Sequence, residues 1–209
     1  MEKDLLVFAL LAIAVVTFFS IIWRIGAALS RKALANMQRL ADRLNLQVLD
    51  QPTKLGIHPY PEARGTIRGK AVRIYNYTTG SGKSKTTWVA MTVTPGVHGG
   101  LTFALTREGF GSKVMSLFCA KEVKVGNAEF DDRWFVRSNA PEFFAAALLL
   151  EIQAKINRLS GTWKLENGAV TYTERGLFTD LARCERFAAA AEPACDLADI
   201  AEVYARQQS

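Results

Sequence analysis

The chain has 209 residues, 49% of them hydrophobic and 22% charged, with 26 Lys and Arg against 20 Asp and Glu for a formal charge of +6. A disordered chain carries fewer apolar residues and a disulfide-stapled secreted scaffold carries far more than three cysteines, so both classes are excluded. The length suits one domain with something added to it.

From Leu5 to Trp23 the sequence LLVFALLAIAVVTFFSIIW runs for nineteen residues without a charge, and thirteen of these are Leu, Ile, Val or Phe. As a helix the stretch rises about 28 Å, close to the hydrocarbon thickness of a bilayer. At about 0.3 to 0.6 kcal/mol for each apolar residue, insertion is favoured by roughly 4 to 8 kcal/mol. A cleaved signal peptide would have a basic start, a shorter apolar stretch and an A-x-A-like site. Here the start is Met1-Glu2-Lys3-Asp4, and Arg24 follows directly. Residues 1–24 therefore read as a retained transmembrane anchor.

Only Lys3 precedes the span, whereas Arg24, Arg31, Lys32, Arg39 and Arg43 follow it. Lys and Arg are retained on the cytoplasmic side, so the N-terminus is expected outside and the C-terminal domain in the cytoplasm. Those five cations are the expected contacts with the anionic membrane surface. Phe18, Phe19 and Trp23 fit the inner interface, and the odd, scattered Cys119, Cys184 and Cys195 do not form a disulfide framework.

Over residues 25–49, Leu29, Ala33, Met37, Leu40 and Leu44 recur at helical spacing, which predicts an amphipathic juxtamembrane helix whose stripe packs on a soluble α+β domain of residues 50–209. A turn-rich loop follows from Asp50 to Pro61. Val72 to Thr79 and Thr86 to Thr94 read as strands joined by the loop Gly80-Ser81-Gly82-Lys83-Ser84. Leu101 to Thr106, Glu122 to Val125 and Arg133 to Arg137 are further strands. Asn139 and Pro141 open a helix whose apolar face, Ala145, Leu148, Leu149, Ile152, Ile156 and Leu159, runs up to Ser160-Gly161.

Trp163 to Thr173 is a hairpin about the type I′ pair Asn167-Gly168, with Trp163 opposite Tyr172 and Leu165 opposite Val170 on one dry face. Thr179 and Asp180 cap a last helix that Pro193 is expected to break or kink. The whole predicts an α+β fold in which an N-terminal transmembrane helix precedes a mostly antiparallel sheet with two or more packed helices.

Candidate chemistry is sparse. Gly80 to Ser84 imitates the end of a P-loop, but Tyr77 stands where the first glycine belongs, and a strand rather than a phosphate-receiving helix follows. His58 and His98 are isolated in loops. Cys184 and Cys195 are eleven positions apart, about 16 Å along a helix and too far for a disulfide. Glu129, Asp131 and Asp132 form an acidic cluster that fits a solvated turn. No catalytic residue, cofactor or metal ligand is expected.

Residues 25–90 carry eleven Lys and Arg against three Asp and Glu, net +8, whereas residues 91–209 carry net −2. The basic excess lies beside the membrane, where lipid contact outweighs nucleic acid; Tyr75, Tyr77 and Trp88 would offer such a partner stacking surfaces, but strand aromatics usually belong to a core.

The stretch Glu129-Phe130-Asp131-Asp132-Arg133-Trp134-Phe135-Val136-Arg137, followed by Pro141-Glu142, a helix, the Asn-Gly hairpin and a last helix, resembles uncharacterised single-span bacterial inner-membrane proteins. The resemblance covers the C-terminal half and implies a cytoplasmic α+β domain on a membrane helix, with no site residues to carry over. The expectation is a membrane-anchored, non-enzymatic binding or accessory module, with the bilayer and a membrane protein complex as partners and the oligomeric state open. Two alternatives stand beside it: an enzyme using the acidic cluster or the glycine-rich loop, and a membrane-tethered nucleic-acid binder.

Overall fold

In a computed structural model of the chain, which describes residues 2–49, 60–107 and 121–208, the apolar stretch and the amphipathic stretch after it form one uninterrupted helix, α1 (Glu2–Leu44). Its 43 residues extend about 64 Å. Large apolar side chains from Val7 to Ile25 are exposed. Further along, Ala33, Met37, Leu40 and Ala41 are buried, with Met37 at 0% and Leu40 at 2% exposure. The expected stripe therefore packs inward, except that Leu29 stays 46% exposed and Leu44 is only half-buried.

The helix stops at Leu44, earlier than the boundary of 49 expected from periodicity. Asn45 takes φ 54°, and the N–H groups of Asn45 and Leu46 donate to the carbonyls of Asp42 and Ala41. This pattern is a Schellman stop, in which a left-handed Asn satisfies the last helical carbonyls. Gln47–Leu49 then forms the edge strand β1, paired antiparallel with β2 (Glu62–Ile67).

Among the described residues all the strand pairs are antiparallel, in one nine-stranded sheet ordered β1-β2-β3-β4-β9-β8-β5-β7-β6. The remaining strands are β3 (Lys70–Thr79), β4 (Thr86–Thr94), β5 (Phe103–Arg107), β6 (Lys121–Val123), β7 (Trp134–Ser138), β8 (Thr162–Glu166) and β9 (Ala169–Arg175). Arg68 and Gly69, both at positive φ, make the β2–β3 turn, as Asn167 and Gly168 make the β8–β9 turn. The latter sets Trp163 opposite Tyr172 and Leu165 opposite Val170, in the expected register. The β8–β9 hairpin inserts between β4 and β5, which are near neighbours in sequence but not in the sheet.

Helices cover one face of this sheet. They are α2 (Ala128–Arg133) at one edge, α3 (Pro141–Ala147), α4 (Leu150–Asn157), α5 (Leu181–Gln207) and the second half of α1. The expected single helix from Pro141 to Leu159 is broken at Leu148 and Leu149, whose backbones leave the helical region. The break lets Phe144 and Leu148 enter the core beside β6 and β7 while Ile156 packs near α5. The Gln153 amide donates to the freed Leu148 carbonyl at 2.6 Å. The expected cap Asn139 is instead bonded across to Thr102 N–H and the Gly100 carbonyl, pinning the approach to β5.

Pro193 does not break α5, which runs for 27 residues through it. The carbonyl that loses its donor belongs to Ala189, an exposed residue on the solvent side of the helix, and small Ala residues around Pro193 leave room for the ring. Asp180 caps α5 as expected, accepting from Ala182 N–H.

Candidate functional site

The five cations expected from the sequence at the membrane surface sit along α1 in three situations. Arg24, Arg31, Lys32 and Arg39 are exposed and have no carboxylate partner among the described residues; Arg31 Nε donates to the Ala27 carbonyl. Arg43 pairs with Glu185 of α5. On a helix rising 1.5 Å per residue, Arg31 and Lys32 lie about 10 to 12 Å beyond Arg24, and Arg39 about 22 Å.

Three of the eleven cations in residues 25–90, Arg43, Arg68 and Lys70, pair with carboxylates of α5. Arg68 pairs with Asp196 at 2.6 Å and with Asp199 at 2.5 Å, and Lys70 with Glu202 at 2.5 Å and Asp199 at 2.9 Å. These hydrogen bonds hold the Glu202 carboxyl below its ordinary range and, outweighing burial, raise the Lys70 ammonium. Lys155 of α4 joins the same stripe through Glu192 and Asp196. Within the sheet, Glu62 is held low by Arg73, which binds it through two nitrogens at 2.8 Å.

The opposite sheet face carries the aromatics. Tyr75, Tyr77 and Trp88 are half-buried there rather than in the core. Their rings follow one another at 6.0 and 6.5 Å, Arg73 lies 4.3 Å over Tyr75, and Trp88 donates to Thr79.

This stripe ends at a notch of about 190 Å³ lined by Trp88, Arg107, Ser160, Gly161, Thr162, Thr173, Glu174 and Arg175. The notch exists because β8 begins late. Its first pair is Thr162 with Thr173, so Glu174 and Arg175 continue along β4 with no β8 partner, while β5 runs on to Arg107. Gly161 must be glycine for space: a Cβ would stand 2.4 Å from both the Thr173 carbonyl oxygen and the Tyr172 ring.

Glu174 is 7% exposed and accepts from Tyr172 Oη at 2.6 Å and from Arg186 at 2.8 and 2.9 Å, with Arg183 Nε at 3.5 Å. Burial opposes its charge, but the Arg186 and Tyr172 hydrogen bonds prevail and hold the carboxyl below its ordinary range. Burial together with that charge raises the Tyr172 phenol. Arg107 donates to the Leu159 carbonyl at 2.6 Å and lies 5.5 Å from the Trp134 ring, while its buried Nε–H has no acceptor among the described residues. Burial and the nearby Arg133 lower its basicity.

The sequence candidates do not converge. Glu129, Asp131 and Asp132 fall on α2, where Asp131 accepts from the Val125 and Gly126 N–H groups and the other two are exposed. Gly80 to Ser84 is an exposed hairpin tip with one 3-10 turn, followed by β4. His98 accepts from Gly100 N–H; Cys184 and Cys195 are buried free thiols. His58 and Cys119 lie outside the described residues. Apart from Trp88, the notch residues escaped sequence reasoning, although strict alternation Val170, Tyr172, Glu174 places Glu174 on the dry face.

No protein-family model matches the chain, and no curated protein matches it. Among solved structures it is similar to the crystal structure of the mycobacterial trehalose monomycolate transport factor A, TtfA, at 12% identity and a TM-score of 0.48, covering 82% of this chain and 93% of that one. A likeness of that size carries no argument about function, and no family is recognised. The bacterial-family resemblance reduces to its coarse content: one exposed apolar N-terminal helix, in keeping with a membrane anchor, on an α+β domain.

Proposed function

We propose that the chain is a single-span, membrane-anchored binding module without a catalytic role, whose α+β domain lies in the cytoplasm against a protein partner or the anionic inner leaflet. One observation carries the reading. Helix α1 exposes apolar side chains from Val7 to Ile25 and continues without interruption into the domain core at Met37 and Leu40. Such a band in water would leave a large apolar surface unburied, whereas a bilayer accepts it. The domain is then held rigidly at the surface rather than on a flexible tether.

Arg24, Arg31 and Lys32 are the lipid-facing set in this proposal, since they lie nearest the end of the span and have no carboxylate partner among the described residues. Arg39 stands farther out than two Debye lengths, and Arg43 is engaged by Glu185.

Cell fractionation tests the anchor. The wild-type chain is expected in the membrane pellet after an alkaline wash. The pair Leu11→Arg and Val15→Arg, at about 2.5 to 3.5 kcal/mol each near the helix centre, cancels the insertion energy and sends it to the soluble fraction. A wild-type chain that is itself soluble rules the proposal out. A reporter fused after Ser209 that works only outside the cytoplasm reverses the orientation.

A further inference from the structure

The notch at the end of β8 holds two guanidinium groups and one carboxylate that is already occupied. Glu174 is bound by Tyr172 and Arg186, with Arg183 alongside. Arg175, exposed at the end of β9, has a guanidinium with no carboxylate partner among the described residues. Arg107 points one N–H at a backbone carbonyl and buries another, Nε–H, with no acceptor among the described residues. A guanidinium kept partly out of water with one N–H unpaired is costly, and here it lines an open cavity beside Glu174, a carboxylate that Arg186 already engages. Thr162 and Thr173, cross-strand partners on the same sheet face as Arg175, add two hydroxyls to the outward side of the notch, across from Arg107 on the helix-facing side.

We infer that the notch binds a small oxyanion, a carboxylate or phosphate group, between Arg107 and Arg175, with the rest of the ligand against Trp88. Guanidinium forks match the two oxygens of such a group, and the Thr hydroxyls donate to whatever lone pairs remain. At about 190 Å³ the cavity is smaller than the roughly 300 to 1,000 Å³ of a drug-sized site, so it takes a head group and leaves the remainder outside. The inference is independent of the membrane reading, since it rests only on the sheet.

The test uses the full chain in a non-ionic detergent, titrated calorimetrically with inorganic phosphate, benzoate and dihexanoyl phosphatidic acid below its micellar concentration. Saturable one-to-one binding of at least one probe is expected. Preference for phosphate or benzoate identifies a free anion, and preference for the phosphatidic acid identifies a lipid head group. Arg107→Gln and Arg175→Gln each weaken binding about tenfold or more, whereas Arg206→Gln, outside the notch, leaves it unchanged.

Thermal unfolding of the same variants separates ligand binding from a structural role. Because Arg107 keeps one N–H buried and unpaired and Glu174 is already bound by Arg186, Arg107→Gln keeps or raises the midpoint. A lowered midpoint, with binding unaffected by Arg175→Gln, makes Arg107 a cap for the Leu159 carbonyl and overturns the inference. So does the absence of saturable binding for all three probes up to about 10 mM.

Discussion

Glu174 stands on the helix-facing side of β9, where alternation would otherwise place an apolar side chain, and it joins the sheet to α5 through Arg186. Its carboxyl titrates lower in the folded chain than in the unfolded one, so its contribution is complete above about pH 4.5 and fades as pH falls through the folded value. Denaturant unfolding between pH 3 and 7 is expected to show stability falling on the acid side. Glu174→Gln removes part of that fall and costs about 2 to 3 kcal/mol at neutral pH, because Arg186 and Arg183 lose their counter-charge. An acid limb unchanged in the variant places the titration elsewhere. Glu174 was within reach of sequence reasoning, because alternation extends past Thr173. The Arg107 and Arg186 partners were not, because nothing in their neighbourhoods along the chain indicates which strand or helix lies opposite.

At the scale of elements, helix and strand types followed from periodicity, while their ends followed from local chemistry. The amphipathic pattern gave α1 its inward face, but Asn45 in a left-handed conformation ended it before 49. Proline in α5 was tolerated because the orphaned carbonyl belongs to an exposed residue; the break between α3 and α4 contains neither Gly nor Pro and follows from where Phe144, Leu148 and Ile156 must be buried. The second half of α1 belongs to the domain core, supplying Met37, Leu40 and Ala41 as well as the Asn36 amide that donates to the Phe178 carbonyl at 2.8 Å. A fragment of residues 27–209 is expected to unfold cooperatively. A fragment of residues 45–209 is expected to lose that transition, since deleting even one such Leu or Met side chain costs about 2 to 5 kcal/mol of a stability of about 5 to 15. Circular dichroism melts of the two fragments decide, and a cooperative melt for the shorter one would separate α1 from the core.

For the whole molecule, charge is distributed differently in space from its distribution along the chain. Within residues 25–90, Arg43, Arg68 and Lys70 are met by Glu185, Asp196, Asp199 and Glu202 on α5, whereas Arg24, Arg31, Lys32 and Arg39 are exposed cations of α1 without a carboxylate partner among the described residues. Orientation in the membrane is expected to depend on the cations nearest the span. Replacing Arg24, Arg31 and Lys32 together by Gln gives a mixed population with a reporter after Ser209, whereas Arg39→Gln with Arg43→Gln leaves a single orientation. Equal effects of the two sets would remove the special role of the nearer one.

The sequence alone determined the apolar band, the bias of charge across it, the Asn-Gly hairpin and the α+β class, because each depends on hydrophobicity, periodicity or turn chemistry within a few residues. Tertiary structure decided the sheet order, with β9 and β8 lodged between β4 and β5, the neutralising stripe of α5, and the notch where β8 begins late. Those features join residues far apart in the chain, and local pattern carries no record of which distant surface a strand or an ion will meet.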